Sequence, residues 1–170
     1  MVNTGIENLF SGNALRAVDA EGRTLLPAFV LAVLDRRRAG ARLLFGPHEQ
    51  DPCISGYDES YEAVLHAEIE RRRLRDEAQG VPAAAHHSRA RRTFGAVERA
   101  SYDARGRITL PPMMRRKSRI GARALFIGAG GSFEVWDPDL ARQAEDREVR
   151  ELAEFACSLG VMDEESEVER

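Results

Sequence analysis

The sequence predicts an α+β fold in which one small β-rich module occurs twice, with amphipathic helices between and after the copies. Three observations carry this expectation. Val18-Asp19-Ala20-Glu21-Gly22-Arg23-Thr24-Leu25-Leu26-Pro27 recurs 84 residues later as Tyr102-Asp103-Ala104-Arg105-Gly106-Arg107-Ile108-Thr109-Leu110-Pro111, with Asp, Ala, Gly, Arg, Leu and Pro identical. Gly40-Ala41-Arg42-Leu43-Leu44-Phe45 recurs as Gly121-Ala122-Arg123-Ala124-Leu125-Phe126 at a spacing of 81, so a three-residue length difference falls between the two matches. Gly and Pro stand in each copy where tight turns and helix starts need them. A chain of 170 residues can bury one ordinary core or two small, mutually dependent ones.

Each copy reads as strand, turn, strand, short helix, strand, turn, strand. In the first copy the strands fall at 15–18, 23–26, 42–45 and 53–56, with a helix over 28–38. In the second copy residues 96–102 form a strand, and Asp103 to Gly106 a tight turn whose Gly supplies a positive φ. Residues 107–110 form the return strand, and Pro111 and Pro112 stop it and start a helix over 113–119. Residues 124–127 and 132–136 make a hairpin around Gly128-Ala129-Gly130-Gly131. Phe10 and Phe94 keep the spacing of 84 upstream of the motif.

Between the copies, residues 60–78 predict a helix with Tyr61, Val64, Leu65 and Ile69 on one face, and residues 82–92 a second helix. After the second copy Asp137 caps one helix whose face holds Leu140, Leu152, Phe155 and Leu159. Residues 164–170 are a polar, fraying tail. The domain plan is an extension at 1–8, modules at 9–57 and 93–139, a helical connector at 58–92, and a helix with an acidic tail at 140–170.

Charge is unevenly spread. Residues 81–131 carry 11 basic and 2 acidic side chains, whereas residues 132–170 carry 4 and 13, although the whole chain is only -3. That asymmetry fits a polyanion-binding surface flanked by acidic helices, or charges that neutralise one another within or between subunits. No apolar run approaches the roughly 18 residues of a membrane span and no secretory leader is evident, so the expected compartment is cytoplasmic.

In the repeated motif, Asp and Arg stand at the two ends of a Gly turn. Asp19 and Asp103 shape the turn with Gly22 and Gly106, and Arg23 and Arg107 either fix the hairpin through an ion pair or offer a planar fork of donors to a phosphate or base edge. The two roles are compatible.

The paired Asp-x-x-Gly-Arg modules, the opening Leu9-Phe10-Ser11-Gly12 and the closing Phe133-Glu134-Val135-Trp136-Asp137 resemble the MraZ family of bacterial transcriptional regulators over residues 9 to about 142. The resemblance implies two tandem AbrB/SpoVT-like swapped-hairpin β-barrel modules in one chain, forming a pseudo-dimeric unit. It further implies a nucleoid-associated protein that assembles as a ring. Such a protein binds repeated double-stranded DNA motifs upstream of the division and cell-wall gene cluster, including its own gene, and represses it. Carried onto this chain, the candidate DNA contacts are Arg23 and Arg107, then Arg16, Arg99 and Arg105. Ser11 departs from the family, which commonly has a basic residue there. Arg115, Arg116, Lys117 and Arg119 are further candidates, or else mark an exposed subunit face.

Other signals point nowhere. Gly128 to Gly131 is followed by a strand rather than a helix, so it is no phosphate loop. His48, His66, His86 and His87 lack metal-ligand spacing, Cys53 and Cys157 are isolated reduced thiols, and Ser11, Ser60 and Ser88 sit in no nucleophile elbow. No cofactor, small-molecule substrate, membrane or enzymatic activity is expected. The competing function is a protein-binding ring scaffold whose Asp/Arg turns are purely structural. A single-module antitoxin of the same fold class is disfavoured by the duplication and the short tail.

Overall fold

The computed structural model describes residues 8–160. Strands β1 (Asn13–Ala17), β2 (Arg23–Leu25), β3 (Arg42–Pro47) and β4 (Ile54–Tyr57) come from the first copy, and β5 (Glu98–Ser101), β6 (Arg107–Thr109), β7 (Arg123–Gly128) and β8 (Phe133–Trp136) from the second. Helices α1 (Ala28–Arg36) and α4 (Pro112–Lys117) follow the two motifs, α2 (Glu62–Ala78) and α3 (Ala83–Ala90) connect the copies, and α5 (Pro138–Arg142) and α6 (Arg147–Leu159) close the chain. The extension and the tail at 164–170 lie almost wholly outside the described residues.

The copies do not fold side by side. A six-stranded antiparallel sheet runs β1-β7-β8-β4-β3-β5, and a separate two-stranded ribbon pairs β2 with β6. β1 of the first copy thus pairs with β7 of the second (Ala17 opposite Arg123), and β5 of the second with β3 of the first (Ser101 opposite Arg42). These pairings interchange under the repeat, as do Ile54 opposite Val135 and Gly56 opposite Phe133, so a local two-fold relates the halves. Even the backbone exceptions obey it: Arg38 and Arg119, just beyond α1 and α4, are the two non-glycine residues with positive φ among those described, at 50° and 54°.

Composition explains where the layers meet. β3 and β7 are continuous apolar runs because both their faces are covered. One core joins Leu43, Phe45, Phe126, Phe133 and Val135 of the sheet to Val30, Val33 and Leu34 of α1, Met114 of α4 and Ile108 of the ribbon. Each such fully buried side chain contributes about 1.5–3 kcal/mol. A second cluster sets Leu15, Leu125 and Trp136 against Ala141, Ala153 and Ala156 of α5 and α6. Small residues on those helices let them approach the sheet closely.

Several expectations need correction. The single helix after Asp137 is two: Asp137 caps α5, Asp146 starts α6 by accepting the Val149 N–H, and Arg150 donates to the Ala144 and Glu145 carbonyls at the break. Leu152 packs inward, but Phe155 and Leu159 are 61% and 51% exposed. Phe10 and Phe94 share spacing and not environment: Phe10 is in the core, whereas Phe94 is over a third exposed on a π-helical turn, Arg91–Gly95, that extends α3. Cys53 is fully buried beside Trp136, and burial, then Glu134 and Asp51, push its thiol pKa up.

Candidate functional site

Both motif turns are built alike. The Asp19 N–H donates to the Arg23 carbonyl at 3.0 Å and the Gly22 N–H to the Asp19 carbonyl at 3.0 Å; the Asp103 turn repeats these bonds at 3.0 and 2.9 Å. Asp19 Oδ1 accepts the backbone N–H of Glu21 and of Arg23, and Oδ2 accepts Arg23 Nε at 2.7 Å. Asp103 does the same for Arg105 and Arg107, with Nε at 2.8 Å. Gly22 and Gly106 hold φ values of 86° and 79°, which an L side chain tolerates poorly.

The Arg23 backbone N–H, then its guanidinium, hold the Asp19 carboxyl below the usual carboxylate range. The Arg107 N–H and guanidinium do so for Asp103. Asp19 in turn raises the Arg23 pKa. Each arginine is therefore gripped at Nε while most of its fork stays in water, the side chains of Arg23 and Arg107 being 63% and 62% exposed.

The ribbon brings the turns together. Arg23 lies opposite Thr109 and Leu25 opposite Arg107, while the central pair, Thr24 and Ile108, points into the protein. The period of two thus puts both arginines on the outer face of one ribbon, as diagonal neighbours at roughly 7–8 Å in an antiparallel pair. The Leu26 N–H bonds to the Gly106 carbonyl at 2.8 Å and the Leu110 N–H to the Gly22 carbonyl at 2.9 Å, tying each strand to the other copy's turn.

Each turn also packs against the other copy's helix. The Arg115 guanidinium of α4 lies over Gly22, and Leu31 of α1 over Gly106. Sequence reasoning missed this exchange: aligning the copies pairs Arg115 with Leu31 but does not show that each serves its neighbour's turn. It also missed that Glu21 Oε2 takes Arg23 Nη2 at 3.3 Å, whereas Arg105 holds the equivalent place in the second turn.

The remaining expected residues scatter. Arg105 is exposed at its turn. Arg99 lies in β5, with Nη2 3.6 Å from Glu62 Oε1. Arg16 requires correction as a surface contact: it is 4% exposed, because Ala14, Leu15 and Arg16 are all covered in β1. Ser11 is exposed beside Phe10.

An interior ion pair is equally well defined. Arg37 Nη1 donates to Asp58, the Arg37 Nε and Nη2 donate to the Asn8 carbonyl at 2.9 and 2.7 Å, and its Cζ stands 4.6 Å from the centre of the Phe10 ring. With side-chain exposures of 12% and 3%, Arg37 and Asp58 fasten the backbone at Asn8 to the end of β4. Among the described residues, no group of three His, Cys, Asp or Glu is placed to hold a metal ion, and no helix is long and apolar enough to cross a membrane.

No protein-family model matches the chain. Curated relatives do. A transcriptional regulator MraZ of Gluconacetobacter diazotrophicus is 30% identical over 82% of this chain and 87% of its own length. Those of Cytophaga hutchinsonii and Pseudomonas aeruginosa are each 27% identical, over 86% and 77% of this chain and 91% and 82% of their own lengths. With identity at this level over about four fifths of its length, the chain belongs to the MraZ family of transcriptional regulators.

Proposed function

We propose that this chain is a sequence-specific DNA-binding transcriptional regulator that lays the β2–β6 ribbon against duplex DNA. The observation that carries this reading is the ribbon register, which sets Arg23 and Arg107 on one exposed face, each held by its own aspartate. A two-stranded ribbon fits the major groove, and an arginine fork matches both guanine edges and phosphates. Fixing Nε in advance reduces the ordering cost of binding.

The cross-copy pairing supports a swapped-hairpin, pseudo-dimeric barrel of the AbrB/SpoVT type within one chain. The exposed Phe155 and Leu159 on α6 offer apolar surface for contact between copies, in keeping with a homo-oligomeric ring that displays several DNA-binding faces to repeated motifs. By family resemblance the target is the promoter region of the division and cell-wall gene cluster, the effect repression, and the location the nucleoid.

Arg23→Ala tests the reading. In a gel-shift assay with the duplex immediately upstream of the chain's own gene, the variant is expected to lose retention while size-exclusion elution stays unchanged. Unaltered affinity, or loss of assembly together with loss of binding, would favour a protein scaffold with structural turns.

A further inference from the structure

The two ends of the ribbon are not chemically alike. Beside the Asp19 turn lies a cleft of about 750 Å³ lined by Val18, Asp19, Arg115, Arg116, Arg119 and Ile120. Asp19 is already neutralised by Arg23, so the space gathers three guanidinium groups around one occupied carboxylate. Among the described residues none of those three arginines forms an ion pair, although exposed arginines elsewhere on the chain, such as Arg142 and Arg147, do. Arg115 Nε is moreover buried with no hydrogen-bond partner, and a buried donor ordinarily has one. At the other end, α1 carries Leu31 and Ala32 where α4 carries Arg115 and Arg116, and only Arg38 matches Arg119.

We propose that this cleft seats a backbone phosphate of the DNA duplex, held by Arg115, Arg116 and Arg119. The inference rests on the DNA-binding reading and adds a lopsided footprint to it. At the first turn the other copy's helix clamps the strand; at the second, the cations come from the turn itself, Arg105 and Arg107. The geometry has a plain chemical logic. Glu21 draws Arg23 aside and repels phosphate at the first turn, and the arginines of α4 offset that acidity from across the cleft. Arginine forks suit phosphate because two donors meet two oxygens in one plane. Such contacts fix position and strengthen binding to any sequence alike.

The test measures affinity against salt for two duplexes, the sequence directly upstream of the chain's gene and a scrambled version of it. Removing Z phosphate contacts should flatten the slope of log K against log salt by about 0.9Z. Arg116→Gln with Arg119→Gln is expected to flatten it by about 0.9, the share of the one phosphate the cleft seats, and to weaken both duplexes equally, by roughly tenfold. Arg116→Lys with Arg119→Lys, which keeps the charge, should retain most of the slope. Ala32→Arg, which installs the missing cation on α1, should steepen it by about 0.9; this gain remains readable should the Gln variant fold poorly. Unchanged slopes in the Gln and Ala32→Arg variants, alongside lost binding in Arg23→Ala, would overturn the cleft and leave the ribbon standing. A loss confined to the upstream duplex would also overturn it, because a phosphate contact carries no sequence preference. If the wild-type chain binds neither duplex, the DNA-binding reading itself fails.

Discussion

The Arg115 guanidinium occupies the space that a Cβ on Gly22 would need, with Cζ 2.5 Å from that position, just as Leu31 Cδ1 lies 2.7 Å from a Cβ on Gly106. An alanine at either glycine meets both a neighbour and a left-handed backbone, the latter alone costing about 1–2 kcal/mol. Arg115 presents the end of a flexible chain and can swing away, but Leu31 packs against the core. Gly106→Ala is therefore expected to lower the urea midpoint more than Gly22→Ala does. The reverse order would show that Arg115 is the more rigid neighbour.

The buried ion pair sets a larger stake. Asp58→Ala strands the Arg37 charge beneath the sheet, and breaking a buried pair from one side costs about 3–5 kcal/mol. Asp19→Ala removes a solvent-exposed carboxylate, its ion pair with Arg23 and its two turn hydrogen bonds, and should cost less because water can replace an exposed partner. Equilibrium unfolding should separate the two variants clearly. Comparable losses would mean that Asp58 is better solvated than its 3% exposure implies.

The aspartates of the turns carry a pH signature. Both carboxyls are lowered in the folded chain, first by a backbone N–H and then by the arginine. Their contribution is therefore fully present above the ordinary Asp value of about 3.9 and is lost as pH falls through the depressed folded values. Carboxyl NMR titration should place both midpoints below that of a free aspartate. In Arg23→Ala the Asp19 midpoint should stay partly lowered, because the larger cause, the residue 23 N–H, survives. A full return to the free value would mean that the guanidinium dominates.

Glu21 and Arg105 occupy matching places in the two turns. Exchanging the charge by Glu21→Arg releases Arg23 from its second partner and adds a cation, so DNA affinity should rise and the salt slope steepen by about 1. Arg105→Glu should do the opposite. Filter binding over a salt series reads both.

The two thiols should differ in reactivity. Cys53 is 2% exposed and its pKa is raised by burial, whereas Cys157 is half-buried on α6. An uncharged disulfide reagent is expected to modify Cys157 in the native protein and Cys53 only after urea unfolding. Rapid modification of both would place the α5–α6 layer in frequent detachment from the sheet.

Much of this was legible in the sequence because the local signals were strong. Gly22 and Gly106 marked turns, Pro27 and Pro111 marked the ends of β2 and β6, and the Asp/Arg spacing foretold the ion pairs found. What a linear repeat cannot display is exchange: nothing in either copy says that β1 seeks β7 instead of its own hairpin. The same blindness left Arg16 among the surface cations, since a strand covered on both sides loses the alternation by which exposure is read. The helix broken at residues 143–146 was misread because Leu140 was set on one face with Leu152, although twelve residues leave two side chains about a third of a turn apart; the gap is bridged by the side chain of Arg150.

The pairing of β1 with β7 has a consequence during synthesis. Asn13 leaves the ribosome early, yet its partner Ile127 emerges only after both connecting helices have been made. The N-terminal strand must wait with an open edge, and the sheet cannot close while the nascent chain is still short. Translation arrested after residue 95 should leave a collapsed, protease-sensitive half whose first strand is an aggregation hazard, and completion of the second copy should rescue it in one cooperative step.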